Sequence, residues 1–284
     1  MTMHLDVHES ATAFLVAAGT FLKLSEAENN IVTIAAARMI SSPTDDDADV
    51  YLASVEHAGT VVAAALHGSA GGMLLTSGPA PALTLFAADM AQRRRAPKSM
   101  VGPLDACEVF AREWAGRTGQ GHALRFHLRH YQLHRPPLPA RARGHMRAPR
   151  QHEYELLLAW QLAFIDEVRL ADDSARAQRV FGRRLEQGTV RVWDDEGIVA
   201  LAGYSDGGTD LARIAPVFTP PEYRKRNYAS ALVAELSREL FEQGKRAVFL
   251  TTDVANPTSN SIYRKIGFVP SADHYHFDFL SPPA

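Results

Sequence analysis

Apolar residues recur along this chain with two periods, and the alternation between them divides it into two similar halves. In the first half, residues 11–15 lead into a helix, and residues 29–39 place Ile31, Ile34 and Ala35 at helical spacing. An acidic loop at 43–49 follows. Strands are predicted at 50–55, 60–67 and 72–76, separated by Gly-rich turns. Helices are predicted at 82–95 and 104–115 around a short strand at 100–102. Residues 123–134 set Leu124, Phe126 and Leu128 against polar neighbours, as a half-buried strand does. In the second half, 145–148 reads as a strand, and Leu157, Trp160, Phe164 and Val168 line one face of a helix over 155–168. A more basic helix over 175–186 is stopped by Gly188. Strands follow at 189–193, 198–205 and 211–218, joined by short turns. Then come a helix, a strand at 247–250, a helix over 256–266, and terminal strands through Phe268 and at 276–279. Apart from an extra strand at the start of the second half and another at its end, the two halves predict the same order of helices and strands. The expected architecture is α/β, a mixed sheet with flanking helices, built as two lobes in tandem. The boundary falls in 136–143, with three prolines, two arginines and no apolar period, which gives residues 1–140 and 141–284. No shorter repeat is present, so solenoids are excluded.

Chemistry concentrates in residues 214–230. Ile214, Val217 and Phe218 are strand-forming, and Pro220 and Pro221 end the strand because they cannot donate to a ladder. Beyond them Ala229, Leu232, Val233, Leu236 and Leu240 form a helical stripe, with Gly244 placed as its C′ residue. A helix start presents unpaired N–H groups and a partial positive charge, and Arg224, Lys225 and Arg226 stand beside this one. Such a run is either a solvated loop that caps a helix or an anion site, most naturally for a pyrophosphate. Its position between strand end and helix start, with small Ala229 and Ser230 admitting a ligand to the backbone, favours the anion site.

A second stretch, 251–268, follows the apolar run 247–250 by direct continuation. Together the two stretches resemble the GNAT superfamily of N-acetyltransferases. Arg224, Asn227 and Ala229 match the family's Gln/Arg-x-x-Gly-x-Gly/Ala loop, and Asn256, Asn260, Tyr263, Gly267 and Phe268 match its Asn-rich turn into a helix ending Tyr-x-x-x-Gly-Phe. The departure is Asn227 in place of glycine; asparagine is the other residue that best tolerates positive φ. The resemblance implies acetyl-CoA as acyl donor, with its pantetheine arm along Val217, Phe218 and Thr219. It implies the pyrophosphate on Arg224, Lys225, Arg226, Asn227, Tyr228, Ala229 and Ser230. It also implies polar contacts from Asn256 and Asn260, and a proton from Tyr263 to the departing sulfur. It extends loosely to the whole chain as a tandem GNAT arrangement. In the first lobe the equivalent connection, 77–81, has no cation, so that lobe is expected to be degenerate, with a structural or substrate-shaping role. The basic run 92–95 lies at a predicted helix C-terminus, where it complements the dipole.

Acyl transfer also calls for an amine acceptor and a base. Glu167 lies on the stripe of Trp160 and Phe164, pointing into the substrate cleft or else reaching to its rim, and is the candidate base, with Glu222, Asp210 and a chain of waters as rivals. His122, His127, His130 and His134 do not converge on one face of a strand, so no metal is assigned. A net charge of −2 over 284 residues gives no global field for nucleic acid. One cysteine supports neither an intrachain disulfide nor a zinc site, and no apolar run reaches membrane-spanning length. The polar start is unlike a signal peptide. These features predict a cytoplasmic protein, and the resemblance implies a monomer or homodimer that acetylates a small amine or amino acid. A non-catalytic acyl-CoA-binding sensor is the alternative.

Overall fold

The computed structural model describes residues 2–68, 71–168 and 174–280. The first half comprises β1 (His4–Val7), α1 (Ala11–Leu24), α2 (Glu26–Ser41), β2 (Tyr51–His57), β3 (Thr60–His67), β4 (Gly72–Leu75), α3 (Ala80–Gln92), β5 (Ser99–Gly102), α4 (Leu104–Thr118) and β6 (His122–Leu133). The second comprises β7 (His145–Arg147), α5 (Tyr154–Glu167), α6 (Ser174–Glu186), β8 (Val190–Asp194), β9 (Ile198–Ser205), β10 (Leu211–Phe218), α7 (Tyr228–Glu242), β11 (Ala247–Asp253), α8 (Pro257–Ile266) and β12 (Val269–Phe279). Local chemistry accounts for many of the boundaries. Ser10 caps α1 by accepting the Ala13 N–H at 3.1 Å. Asn256 caps α8 by accepting the Ser259 N–H at 3.0 Å, and Gly267 ends that helix at φ 113°.

All strands join one 12-stranded sheet in the order β1-β2-β3-β4-β5-β12-β6-β11-β10-β9-β8-β7. The last strand of each half has crossed to the other. β6 pairs antiparallel with β11, β12 pairs antiparallel with β5, and β6 and β12 pair with each other from Val269↔Gln132 to Phe279↔His122. Tyr131 and Leu133 accordingly lie in the core under α7 and α8, while Phe277 and Phe279 lie in the core under α3 and α4. Each such buried side chain contributes about 1.5–3 kcal/mol, so the exchange ties the stability of each half to the other. Helices α1 and α2 cover Leu52, Ala64 and Leu66 on one face of the first half, and α5 and α6 cover Val190, Val192 and Leu201 in the second. α2 reaches further, packing Ile34 on Leu211, Ala247 and Phe249. The β9–β10 turn meets it there: a Cβ on Gly207 would lie 2.8 Å from Ile34 O and Arg38 N, so only glycine fits.

Three features depart from the sequence reading. β1 forms from the polar N-terminus by pairing with β2. The expected pair of terminal strands is one strand, β12, with irregularities between Pro270 and Ala272 and between His276 and Phe277. β11 runs on to Asp253 rather than ending at 250. Among the described residues no helix is long and apolar enough to cross a membrane.

Candidate active site

The site begins where two parallel strands part. β10 and β11 are in register only over Leu211↔Ala247, Ala212↔Val248 and Arg213↔Phe249. Beyond that, β10 continues to Phe218 beside β9 and β11 continues to Asp253 beside β6. The two inner edges diverge as a wedge with unpaired backbone groups, which can accept an extended ligand as an added strand. The register of β10 shifts between Ile214 and Val217, around a cis Ala215–Pro216 bond. The Ala215 carbonyl accepts from Arg184 Nη1 of α6 at 2.6 Å. Burial pushes that guanidinium down to about 10, so it stays charged at neutral pH.

At the apex, Arg213 donates from Nη2 to Thr251 Oγ1 at 2.7 Å, bridging the split, and from Nη1 to Asn30 Oδ1 of α2 at 3.1 Å. It too is buried and pushed down to about 10. His130 and His274 lie beside it with ring centroids 4.2 Å apart. Burial, with the charge of Arg213 acting in the same sense, keeps both imidazoles neutral; His274 is pushed down to about 4.

At the mouth, the loop into α7 holds Lys225 at φ 64° and Asn227 at φ 65°. Asparagine thus adopts the left-handed conformation that glycine would supply. Among the described residues, no hydrogen bond takes up the N–H groups of Lys225 through Ser230; the first that is taken up is Ala231 N–H, by Asn227 O at 2.9 Å. Unclaimed donors at a helix start, with Lys225 and Arg226 exposed beside them, form an anion site. Thr219 Oγ1, at the end of β10, is buried without a partner. Val217 faces the α7–α8 core, while Phe218 faces α5, its ring 6.3 Å from that of Trp160. The Tyr228 ring turns away, its hydroxyl donating to Asp195, so only its N–H faces the loop.

α8 forms the other wall. Asn256 Oδ1 is taken by its cap. The Asn260 side chain is fully engaged: Oδ1 accepts from Tyr131 Oη at 2.7 Å, and Nδ2 donates to Asp253 O at 2.9 Å and Asn256 O at 2.6 Å. It fixes the turn after β11 and has no free group for a ligand. Tyr263 is 8% exposed, its ring 6.2 Å from those of Tyr131 and Phe268. Burial pushes its phenol up to about 12, opposed by a hydrogen bond to the Ser259 side chain. It is therefore protonated at neutral pH and able to donate.

Glu167 is not directed from the apolar face of α5 into a cleft. Its carboxylate accepts from Arg224 Nη2 and is 52% exposed. Arg224 also donates from Nε to Thr219 O at 2.9 Å, so the pair braces the mouth. Of the rivals, Asp210 pairs with Arg246 at 3.0 Å, and Glu222 lies exposed on the turn before the basic loop. Arg184, Arg213, Thr251 and Asn30 were missed in the sequence. The one local signal was an arginine beside the buried stripe of Ala177, Phe181 and Leu185.

A parallel-strand wedge, a helix start with unclaimed donors and a buried phenol stand together on one side of the sheet in the second half, and the comparisons bear on that half. Residues 151–268 match the model of the Acetyltransferase (GNAT) family, so the second half carries a GNAT domain, a family whose chemistry is acyl transfer from acyl-CoA. The particular arrangement is a tandem one. A tandem GNAT protein from the clavulanic acid biosynthesis pathway is 14% identical, with TM-score 0.58, covering 100% of this chain and 99% of that one. A GCN5-related N-acetyltransferase from Sphaerobacter thermophilus is 14% identical, with TM-score 0.60, over 98% and 95%. A Drosophila protein is 9% identical, with TM-score 0.70, over 98% and 99%. At these identities the likeness is one of fold. No curated protein matches the sequence.

Proposed function

We propose that this protein is an N-acetyltransferase that moves the acetyl group of acetyl-CoA directly to a primary amine of a small molecule or amino acid, in the cytoplasm, as a monomer or homodimer. Residues 141–284 bind the donor, and residues 1–140 shape the acceptor side and bind no donor of their own. The observation that carries this reading is the run of unclaimed N–H donors from Lys225 to Ser230 at the mouth of the β10–β11 wedge. The pyrophosphate takes those donors and the charge of Arg224, Lys225 and Arg226. The pantetheine arm lies along Val217–Thr219, with Thr219 Oγ1 and the free Nδ2 of Asn256 as polar contacts. Asn260 contributes by holding the turn.

In the reaction the amine nitrogen attacks the thioester carbon, the C–S bond breaks, and the sulfur takes the Tyr263 proton. The phenol recovers a proton from solvent, and the nitrogen loses one to a base. Glu167 serves as that base only when its pair with Arg224 opens; otherwise it positions Arg224. Glu167→Gln separates the roles, because loss of a base lowers kcat on the plateau and removes the acidic limb of the pH profile, whereas loss of a positioning partner raises KM for acetyl-CoA. A small acceptor is favoured on the reading that residues 1–140 narrow access to the wedge.

The test is a mass-spectrometric screen of an amine library with acetyl-CoA, run beside thermal denaturation. Acetyl-CoA raises Tm and yields acetylated products if the reading is right. A Tm shift without product and without release of free thiol supports the sensor. No Tm shift at millimolar acetyl-CoA removes both readings.

A further inference from the structure

On the face of the sheet away from α7 and α8, one stretch of β10 is not sealed. There α2 packs on Leu211 and α5 packs on Phe218, and both residues are buried. The stretch between them carries Arg213 and the Ala215 carbonyl that Arg184 reaches from α6. Arg213 is only half-buried, although β10 is an inner strand between β9 and β11. Thr251, its partner across the split, is half-buried too. A cleft between α2 and the α5–α6 pair therefore reaches the apex of the β10–β11 wedge.

This cleft carries positive charge that the chain does not neutralise. Arg213 pairs in register with Ser205 of β9 and shares its face. Gly203, the previous residue on that face, would place a Cβ 3.6 Å from Arg184 Nη1, so both guanidiniums stand on one side of the sheet. A guanidinium has five N–H donors. Arg213 commits one to Asn30 Oδ1 and one to Thr251 Oγ1, and Arg184 commits one to Ala215 O, all of them neutral oxygens. Among the described residues no carboxylate accepts from either arginine. Burial pushes both groups down, with no acid near enough to oppose it. The other polar groups around Arg213 are uncharged: His130 and His274 are neutral, and Asn30 Nδ2 is taken by Ala27 O at 2.7 Å. Arg147 and Arg191, which are also largely buried, each hold a carboxylate. Two deep cations without a counter-charge are unfavourable unless an anion arrives with the ligand.

Resting on the acetyltransferase reading, we propose that this cleft receives the acceptor and that Arg213 and Arg184 bind its carboxylate, so that the acceptor is an amino acid rather than an amine without an acidic group. A planar carboxylate matches the fork of a guanidinium. The donor arm runs up the wedge from the basic loop, which brings the thioester end toward Thr251 and Arg213. A carboxylate held there sets the neighbouring amine at the same end. The first lobe takes part through Asn30, which holds the Arg213 guanidinium in place.

The experiment measures kcat/KM for the proteinogenic amino acids and for their carboxamides at saturating acetyl-CoA, with simple amines run beside them. Wild type, Arg213→Gln, Arg184→Gln and Arg213→Lys are compared, each checked for Tm. Amine basicity differs between the two series, but it cancels when a variant's preference is divided by that of wild type. Wild type prefers its best amino acid to the matching amide by about tenfold or more, the scale of one charge-assisted contact. Each Gln variant loses most of that preference through KM for the amino acid, and keeps the Tm shift given by acetyl-CoA. Arg213→Lys, which restores the charge without the fork, keeps part of the preference. If Arg213→Gln does not fold, Arg184→Gln and Arg213→Lys decide. Equal use of acid and amide by wild type overturns the inference, as does a preference that survives the substitutions, and the transferase reading stands in both cases. Acetylation of simple amines alone has the same meaning. No product from any amine removes the transferase reading, and this inference falls with it.

Discussion

The two halves begin their central crevice in the same way and finish it differently. β4 and β5 are in parallel register over Gly72↔Ser99, Met73↔Met100 and Leu74↔Val101, as β10 and β11 are over their own first residues. β4 then ends at Leu75 and β5 at Gly102, so no wedge develops. A Cβ on Gly102 would lie 2.9 Å from Leu75 O, which shows how tightly the strands stay together. The connection that follows lies on β3, with the ideal Cβ of Gly78 only 2.6 Å from that of Ala63.

The helix starts differ as much. Before α7 the N–H groups from Lys225 to Ser230 are unclaimed. At α3, Pro79 and Pro81 have no N–H, and Ala82 and Leu83 donate to Pro79 O. The second helix of each pair completes the contrast. α8 presents Asn260 and Tyr263 inward, whereas α4 presents Ala106, Cys107, Phe110, Ala111 and Trp114, with the last aromatic pair stacked at 6.1 Å. One fold thus supports either a closed crevice or an open one. The difference lies in strand length past the register and in the donors left at one helix start.

The largest effect is expected at the seam between the halves. His130 and His274 are held neutral in the folded state, below the ordinary value of about 6.5. The unfolded chain binds more protons as pH falls, so this stability is full above pH 6.5 and is lost as pH drops toward 4. For His274 alone the loss is on the order of 3 kcal/mol. Urea denaturation across that range measures it, and a flat profile would mean that the pair is not neutral and buried. Tyr263→Phe comes next. It keeps the ring and its packing, and kcat falls on the order of 10²-fold with KM for acetyl-CoA little changed. An unchanged kcat would reduce Tyr263 to a core residue like Phe110, and the contrast between α8 and α4 would fail.

Arg224→Ala and Arg226→Ala are each expected to weaken acetyl-CoA binding about tenfold, read by calorimetry at fixed ionic strength. The same change at Arg93 or Arg95 should leave binding unmoved, because these lie at the C-terminal end of α3, paired with Asp89 and Asp49. Asn227→Gly is the smallest, a change of a few-fold at most, since the backbone already holds φ 65°. Tighter binding would mean that the asparagine side chain crowds the phosphates.

Much of this was legible in the chain itself. Pro220 and Pro221, the basic triplet and the stripe from Ala229 to Leu240 located the helix start, and the tolerance of asparagine for positive φ anticipated Asn227. The order of elements in each half could be read because apolar period is a local property. The exchange of β6 and β12 could not, since alternation along a strand says which residues face a core but not whose core. Tyr131 and Phe277 look alike in either lobe. Arg184, Arg213, His130 and His274 were illegible for a related reason: they are polar residues whose partners lie on other elements. For Glu167 the helical stripe left two placements open, cleft or rim, because it fixed a face but not the reach of the side chain, which ends at the rim on Arg224.

The central claim is that one half of this chain binds donor and the other does not. The most direct measurement is the stoichiometry of CoA binding by titration calorimetry on the intact chain, with Arg224→Ala/Arg226→Ala alongside. One site per chain is predicted, lost or strongly weakened in the double variant. Two equivalent sites, or one site indifferent to both substitutions, would contradict the account.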